Sequence, residues 1–458
     1  MLIYFSANNF RSIDEPIELN MKAAPRLRRH KNHARTPTKD KKKKVLKGAL
    51  LYGANASGKS NVIKAMSYAK EVITGESNLD YCPFLRSSHF SLVKDGSKKR
   101  DFTFEFCIRG EYYAYFFSVE NNIIAEEELV HITPNSETKI YHREIDKSKS
   151  ANTVVYSYTS DVENISNDSE FLVFSKYTSP KKLFLTDSSE KIRDFFRELE
   201  LSEKKFNSEV DISFLEFLLP AFLFFNFHLI IIFPESKYSS TLSDLSSGNG
   251  NCFDVIKSFD TGIEKLNSTE VPLNKFTTEQ LEEIKSKISS KNKPYSFDLN
   301  EVDYLAEFID ETSSLKITKL TSIHKSKSGE EIIFDFEDES DGTKRIVDLL
   351  PTLSNDKKFP LTFVIDEFDR SLHPLLSIKL LRLFLETDSD DQLITTTHEA
   401  ELLDNEILRR DEIWFVQKER DGSTQLYSLS DYSPRYDKDI HSAYLKGVFG
   451  GVPNLSGQ

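Results

Sequence analysis

The start of the chain alternates apolar and polar residues, which predicts two short strands, Leu2 to Phe5 and Pro16 to Met21, with a turn between them. Alternation returns between Phe102 and Ile132 as FTFEFCI, YAYFFSV and IIAEEELVHI, broken by RGEY and ENN, and reads as three antiparallel strands joined by tight turns. A different pattern, the nearly unbroken apolar run VLKGALLYG, leads into a helix that starts near Gly58. The last third repeats it: SLKITKLTSI and EEIIFDF, then a helix, FPLTFVIDE, another helix, QLITTTH, and a final unit with DEIWFVQ and TQLYSLS. Apolar strands alternating with helices predict an α/β sheet covered on both faces.

The remaining stretches read differently. Segment 143–170 is polar and Ser/Asn-rich, and reads as a surface loop. The middle, about 180 to 310, reads as mostly helical: EKIRDFFRELELSEKKF, FDVIKSFDTGIEKL and TEQLEEIKSKISSK, the last two suiting a short helical hairpin near 253–291. SSGNGN at 246–251 is a flexible break. The expected organisation is an N-terminal lobe 1–179, a helical insertion 180–312 and a C-terminal lobe 313–458.

One apolar block, FLEFLLPAFLFFNFHLIIIF at 214–233, is about as long as a membrane span. Glu216, Pro220, Asn226 and His228 interrupt it, so it reads as an ending helix followed by a buried strand stopped by Pro234, and no membrane association is expected. The net charge of −13 argues against a protein that coats nucleic acid, without excluding a local basic patch. Cys82, Cys107 and Cys252 are far apart with no CxxC pair. Neither a disulfide framework nor a structural zinc site is expected, and the polar start is no secretory signal, so the expected compartment is the cytoplasm.

The chemistry concentrates in two places. Gly53 to Ser60 read GANASGKS, a full G-x-x-x-x-G-K-S between a predicted strand and a predicted helix. Gly53 and Gly58 let the backbone turn so that successive N–H groups face phosphates, and the helix N-terminus adds positive potential. Asn55, Ala56, Ser57, Gly58, Lys59, Ser60 and Asn61 are then the expected contacts of ATP, with Lys59 reaching the β and γ phosphates and the Ser60 hydroxyl holding Mg²⁺. The second place is LTFVIDE, an apolar strand that ends in Asp366 and Glu367. Asp366 would hold Mg²⁺ through water, and Glu367 would act as general base on the attacking water.

Four segments resemble the ABC-type ATPase heads of the SMC, RecF and OLD clan: NFRSI at 9–13, ESDGTKR at 339–345, VIDEFDRSLHP at 364–374 and TTTH at 395–398. The resemblance covers both lobes, about two-thirds of the chain, and implies an ABC-type head with an antiparallel N-terminal subdomain and a P-loop core. It implies a nucleotide contact from Arg11, a signature segment with Ser340, Gly342 and Lys344, a D-loop with Asp369, and a switch histidine, His398. In this clan a second subunit's signature segment closes the γ-phosphate, so an ATP-sandwiched homodimer is implied, with a higher oligomer such as a hexamer of paired heads also open. The clan's glutamine loop has no counterpart, since no glutamine precedes Gln280; His89, within 82–93, is the candidate replacement, and slow turnover is one consequence.

There is no CxxC hook and no arm of coiled-coil length, and the residues after His398 read as the end of the head rather than as a Toprim nuclease. The chain is similar to the stand-alone ATPase subunits of bacterial two-component anti-phage systems of the PARIS type. That likeness implies a Toprim-type effector nuclease in trans and a phage-encoded trigger protein. The alternative is a RecF- or SMC-like DNA-repair or DNA-translocating ATPase, and a third reading is an ATP-bound module that does not hydrolyse. Between Arg26 and Lys47 stand 11 Lys or Arg against one Asp. Three readings stay open for that stretch: a solvated loop, a contact to DNA phosphates, or a docking site for an acidic protein.

Overall fold

The computed structural model describes residues 1–37, 43–76, 90, 99–146, 154–166, 169–201, 214–235, 242, 245, 250–288, 294–300, 302–309, 314–353, 359–432 and 439–452. The chain opens with β1 (Leu2–Asn8), β2 (Ile17–Asn20), β3 (Ala34–Arg35), β4 (Val45–Leu46), β5 (Gly48–Tyr52) and helix α1 (Lys59–Thr74). Next come β6 (Arg100–Ile108), β7 (Glu111–Glu120), β8 (Ile123–Ile132), β9 (Glu137–Ile145) and β10 (Tyr156–Thr159). Helices α2 (Glu163–Ser166), α3 (Ser169–Tyr177), α4 (Phe184–Leu201) and α5 (Leu215–Leu223) lead to β11 (Leu229–Ile232), β12 (Ile263–Glu270) and α6 (Thr278–Lys287). Then follow β13 (Tyr295–Leu299), β14 (Val302–Ile309), β15 (Ser314–Lys325), β16 (Glu331–Asp335), α7 (Asp341–Leu349), β17 (Thr362–Ile365) and α8 (Pro374–Glu386). The chain closes with β18 (Gln392–Thr397), β19 (Ile413–Lys418), β20 (Thr424–Ser428) and α9 (Ile440–Leu445).

Two compact units emerge. The first joins Met1–Ile231, Phe359–Phe368 and Asp390–Gln458; the second joins Ile232–Lys358 and Asp369–Ser389. In the first, a seven-stranded antiparallel sheet runs β10-β9-β8-β7-β6-β1-β2, and a six-stranded sheet runs β11-β17-β18-β5-β19-β20. In that second sheet β17, β18, β5 and β19 are parallel neighbours, and β20 closes antiparallel on β19. Every residue of β5, β17 and β18 is buried, as expected of strands covered on both faces. Gln392 links the sheets: its buried amide accepts from the Leu2 N–H at 2.5 Å and donates to the Leu2 and Leu46 carbonyls at 2.9 Å each. A buried amide costs free energy unless satisfied, so this group fixes the crossing of the two sheets.

The alternating strands of the sequence are where they were expected, but the surface loop expected at 143–170 is partly regular structure. β9 continues to Ile145, β10 pairs with it in register, and α2 and α3 follow. The polar residues serve there as the outward face of an edge strand, which composition alone does not separate from a loop. The interrupted block 214–233 forms α5, a π-helical turn Phe224–His228 and β11. Among the described residues no helix is long and apolar enough to cross a membrane.

The second unit carries the sheet β12-β15-β14-β13, with β16 also on β15. α6 packs Ile284 and Leu281 against Phe276, Ala306, Ile317 and Tyr304. A reciprocal capping box of Thr277 and Gln280 starts this helix. The helical hairpin expected near 253–291 is therefore half right. Residues 250–259 form a 3-10 helix, and Ile263–Glu270 is a strand whose register on β15 supplies backbone partners that a helix could not offer here. Among the described residues between 180 and 312 the helices α4, α5 and α6 are thus joined by four strands. The flexible break at 246–251 falls largely outside the described residues.

Candidate functional site

The parallel order β17-β18-β5 brings three strand ends to one edge of the sheet. β5 ends before Gly53, β17 before Asp366 and β18 before His398. Residues more than 300 positions apart in sequence become neighbours because the ends of parallel strands that share a direction lie together.

The phosphate loop has the backbone its sequence demands. Gly58 has φ 108° and caps α1, and Ala56 has φ 60°. A Cβ on Gly58 would overlap the Thr424 side chain, and one on Gly53 would overlap the Val416 carbonyl, so both glycines are required by space. Lys59 is buried, and its Nζ donates to the Gly53 carbonyl at 2.6 Å and the Ala54 carbonyl at 3.1 Å. His398 Nδ1 stands 3.5 Å from the same Nζ.

The acidic pair sits opposite Ser60. The Ser60 hydroxyl donates to Asp366 Oδ1 at 3.2 Å, and Asp366 is buried. The Thr396 hydroxyl donates to the same Oδ1 at 2.6 Å and accepts the Glu367 N–H at 2.8 Å. That second bond holds Glu367 at φ 50°, a left-handed value that an L-residue adopts only when its surroundings impose it. His398 Nε2 lies 4.0 Å from Glu367 Oε1. An open pocket of about 770 Å³ is lined by Asn55 to Asn61, Ser12, Glu367, His398, Lys418 and Gly422.

The donor set suits a polyphosphate with a hard cation. Successive backbone N–H groups of a glycine-turned loop open a helix, an ammonium stands at its centre, and the buried Ser57 Oγ has no hydrogen-bond partner among the described residues. Ser60 Oγ and Asp366 Oδ1 are oxygen ligands within one hydrogen-bond length, and one carboxylate beside phosphate oxygens is a usual Mg²⁺ arrangement.

The sequence expectations fall into two groups. Gly53, Asn55, Ala56, Ser57, Gly58, Lys59, Ser60, Asn61, Asp366, Glu367 and His398 all come together in the first unit. Arg11 does not: it is not among the residues lining the pocket and lies beside the Phe10 ring, because the tight turn of Phe10 and Ile13 presents its neighbour Ser12 instead. Ser340, Gly342, Lys344 and Asp369 belong to the second unit. Ser340 caps α7 by accepting the Thr343 N–H at 3.2 Å, and a Cβ on Gly342 would stand 2.8 Å from the Ser371 carbonyl. The signature-like and D-loop-like segments are therefore packed on one another, with Asp369 at the start of the turn that ends in Leu372. Lys344 Nζ donates to the Glu337 carbonyl at 2.7 Å, which ties its charge to its own segment. His89 lies outside the described residues.

Thr396, Ser12, Thr424 and Lys418 were not assigned from sequence. Thr396 lies within the TTTH segment and Ser12 within NFRSI, but only the tertiary structure shows what their hydroxyls hold; Thr424 and Lys418 carry no local signal. Part of the basic stretch is docked rather than solvated. Arg409 donates to the Arg29 carbonyl, His30 meets the Asn405 carbonyl, and buried His33 pairs with Glu412 at 3.1 Å. Arg26, Arg28, Lys31, Lys43 and Lys44 remain exposed, and 38–42 lie outside the described residues.

Residues 49–404 match the family described as "AAA domain, putative AbiEii toxin, Type IV TA system". No curated protein matches the chain significantly. Solved structures similar to it include an SMC head bound to the C-winged helix domain of ScpA, at 12% identity and TM-score 0.41, covering 93% of this chain and 97% of that one. The SMC head domain from Thermotoga maritima aligns at 14% identity and TM-score 0.34 over 93% and 98%. An Smc head with an extended coiled coil, bound to the C-terminal domain of ScpA derived from Pyrococcus furiosus, aligns at 14% and 0.40 over 98% and 99%. Likeness at these scores carries no argument about partner or activity. The family match spans well over half of the 458 residues, all three strand ends of the site included, and the chain belongs to this AAA-domain family.

Proposed function

We propose that the chain binds and hydrolyses ATP with Mg²⁺ at the β5–β17–β18 edge, and that a second copy completes the site. The observation that carries this reading is the convergence of Lys59, Ser60, Asp366, Glu367 and His398 at three parallel strand ends. In this reading the loop N–H groups and Lys59 orient the phosphate chain, and Ser60 and Asp366 hold the cation, which neutralises charge on the β and γ oxygens. Glu367 accepts the proton of the attacking water, and His398, within reach of both Lys59 and Glu367, fixes the carboxylate and the γ-phosphate end. Ser340, Gly342 and Asp369, packed as one edge with the N-terminus of α7, would close the site of the second copy. The lobes 1–179 and 313–458 would act as the head, with 180–312 as its insertion.

At the finer level we read the chain as the sensor and scaffold subunit of a two-component anti-phage system. In this reading it resembles AriA of the PARIS system, with an AriB-like Toprim nuclease held by the assembly and released when a phage protein is sensed. The support for this is the likeness of the motifs at 9–13, 339–345, 364–374 and 395–398 to that branch and the acidic net charge. A RecF- or SMC-like DNA-dependent ATPase is the second reading, favoured by the exposed cations between Arg26 and Lys44. The deciding experiment measures ATP binding and steady-state hydrolysis with and without duplex DNA. Wild-type turnover independent of DNA, together with a Glu367→Gln variant that keeps ATP affinity and loses turnover by roughly 100-fold or more, supports the first reading. Strong stimulation by duplex ends moves the assignment to the second, and turnover that Glu367→Gln does not lower removes the hydrolytic role.

A further inference from the structure

Besides the strand ends, the pocket has a wall that the phosphate loop and the acidic pair do not account for. Lys418 and Gly422, from the hairpin formed by β19 and β20, line it, and so does Ser12 from the N-terminal turn. The Thr424 N–H donates to the Ser12 carbonyl at 2.7 Å, joining the two segments across more than 400 positions of sequence.

Four polar groups then make one chain of hydrogen bonds. Asn61 Nδ2 lies 2.6 Å from Ser12 Oγ, Ser12 Oγ lies 2.7 Å from Thr424 Oγ1, and Thr424 Oγ1 lies 3.0 Å from the Ser57 carbonyl. Donor chemistry fixes the direction. A carbonyl only accepts, so the single Thr424 proton goes to Ser57. Thr424 Oγ1 must then accept from the Ser12 hydroxyl, and Ser12 Oγ accepts from the Asn61 amide, which only donates through its nitrogen. Each member polarises the next. The chain begins in the first turn of α1 and ends in the phosphate loop, so it bridges residues 57 and 61 from outside the loop. The Thr424 side chain also packs against Gly58, where no side chain fits.

We propose that Thr424 and Ser12 are positioning residues of the nucleotide site. They hold the Ser57–Gly58–Lys59 backbone in the conformation that turns its N–H groups toward the phosphate chain, without touching the nucleotide through Thr424 itself. The inference rests on the ATP-binding reading. Its consequence is that affinity for the polyphosphate depends on a hydroxyl at position 424, supplied by the C-terminal hairpin.

The test compares Thr424→Val, Thr424→Ser and Ser12→Ala with wild type and Lys59→Ala, in the full chain, by calorimetric titration with Mg-ATP, steady-state hydrolysis and thermal melting. Thr424→Val keeps the shape and loses the proton. The expected result is a Kd about tenfold higher, about 1.4 kcal/mol, with the loss falling on Kd more than on kcat. Thr424→Ser should return Kd to within about twofold of wild type, and Ser12→Ala combined with Thr424→Val should cost little more than either alone, as members of one chain do. An unchanged Kd in Thr424→Val overturns the proposal. So does a Thr424→Ser variant as weak as Thr424→Val, which would assign the effect to packing. If wild type and Lys59→Ala bind equally poorly, the nucleotide reading fails and this inference with it. If Lys59→Ala alone loses binding, only the positioning role is lost.

Discussion

Single side chains here act through very few hydrogen bonds, so their removal should be legible in measurement. Lys59 is the lysine that the phosphate loop itself brings to the pocket, and Lys59→Ala is expected to weaken Mg-ATP binding by roughly 100-fold or more, since hydrogen bonds to charged groups are the strong ones. Tm should fall by no more than about 5 °C, because what the fold loses is two bonds to loop carbonyls. Titration calorimetry and a melting curve check both halves. His228 offers a pH test. Its Nδ1 lies 2.8 Å from the Pro360 carbonyl, which can only accept, so Nδ1 carries a proton. Burial is the main cause that pushes its pKa below the usual 6.5. The unfolded chain then binds more protons as pH falls from about 6.5, and stability is lost in that direction. Urea midpoints measured from pH 7.5 to 5.5 should fall on acidification, and less steeply in His228→Gln. Equal slopes would contradict it.

At the scale of elements, the helix that carries Lys59 is held at its far end. α1 stops at Gly75, with φ 77°, and its last carbonyls would be orphans. The Thr186 hydroxyl lies 3.0 Å from the Val72 carbonyl and 2.9 Å from that of Ile73, while Arg193 donates to the Thr74 carbonyl at 2.8 Å. Both donors come from α4, whose own N-terminus is satisfied by the buried Glu127 carboxylate accepting the Phe184 and Leu185 N–H groups. Thr186→Val keeps the volume and removes the donor, and is expected to cost about 1–3 kcal/mol, read as a lower urea midpoint at unchanged m-value. A change below about 0.5 kcal/mol would show that water replaces the hydroxyl. None of this was legible in the sequence. Helix α4 was anticipated from its amphipathic text, but which helix end it would cap depends on how α4 and α1 pack.

For the whole molecule, the division into two units sets the expectation. Lys59, Asp366 and Glu367 are in the first unit, and Ser340, Gly342 and Asp369 are in the second. If two copies seal the nucleotide, Glu367→Gln should form dimers in Mg-ATP and remain monomeric in Mg-ADP. Adding Ser340→Glu, which places bulk and like charge where the γ-phosphate edge would dock, should abolish them. Sedimentation velocity reads the outcome, and ATP-dependent dimers that survive Ser340→Glu would place the contact elsewhere.

The amino-acid sequence by itself determined the chemistry of the loop and of the acidic strand end. In both, the signal is local: a glycine turn, a lysine and a serine within eight positions, and two acids closing an apolar run. It also determined five of the seven strands of the antiparallel sheet, β1, β2, β6, β7 and β8, because a period of two is visible along the chain there. Only the tertiary structure decided that Thr396 would orient Asp366 and Glu367, that Ser12 and Thr424 would bracket the loop, and that a polar segment would continue the sheet as β10. Those relations join positions up to 412 residues apart through single hydrogen bonds. A side chain's partner across such a distance is set by strand order and register, which no neighbouring residue encodes.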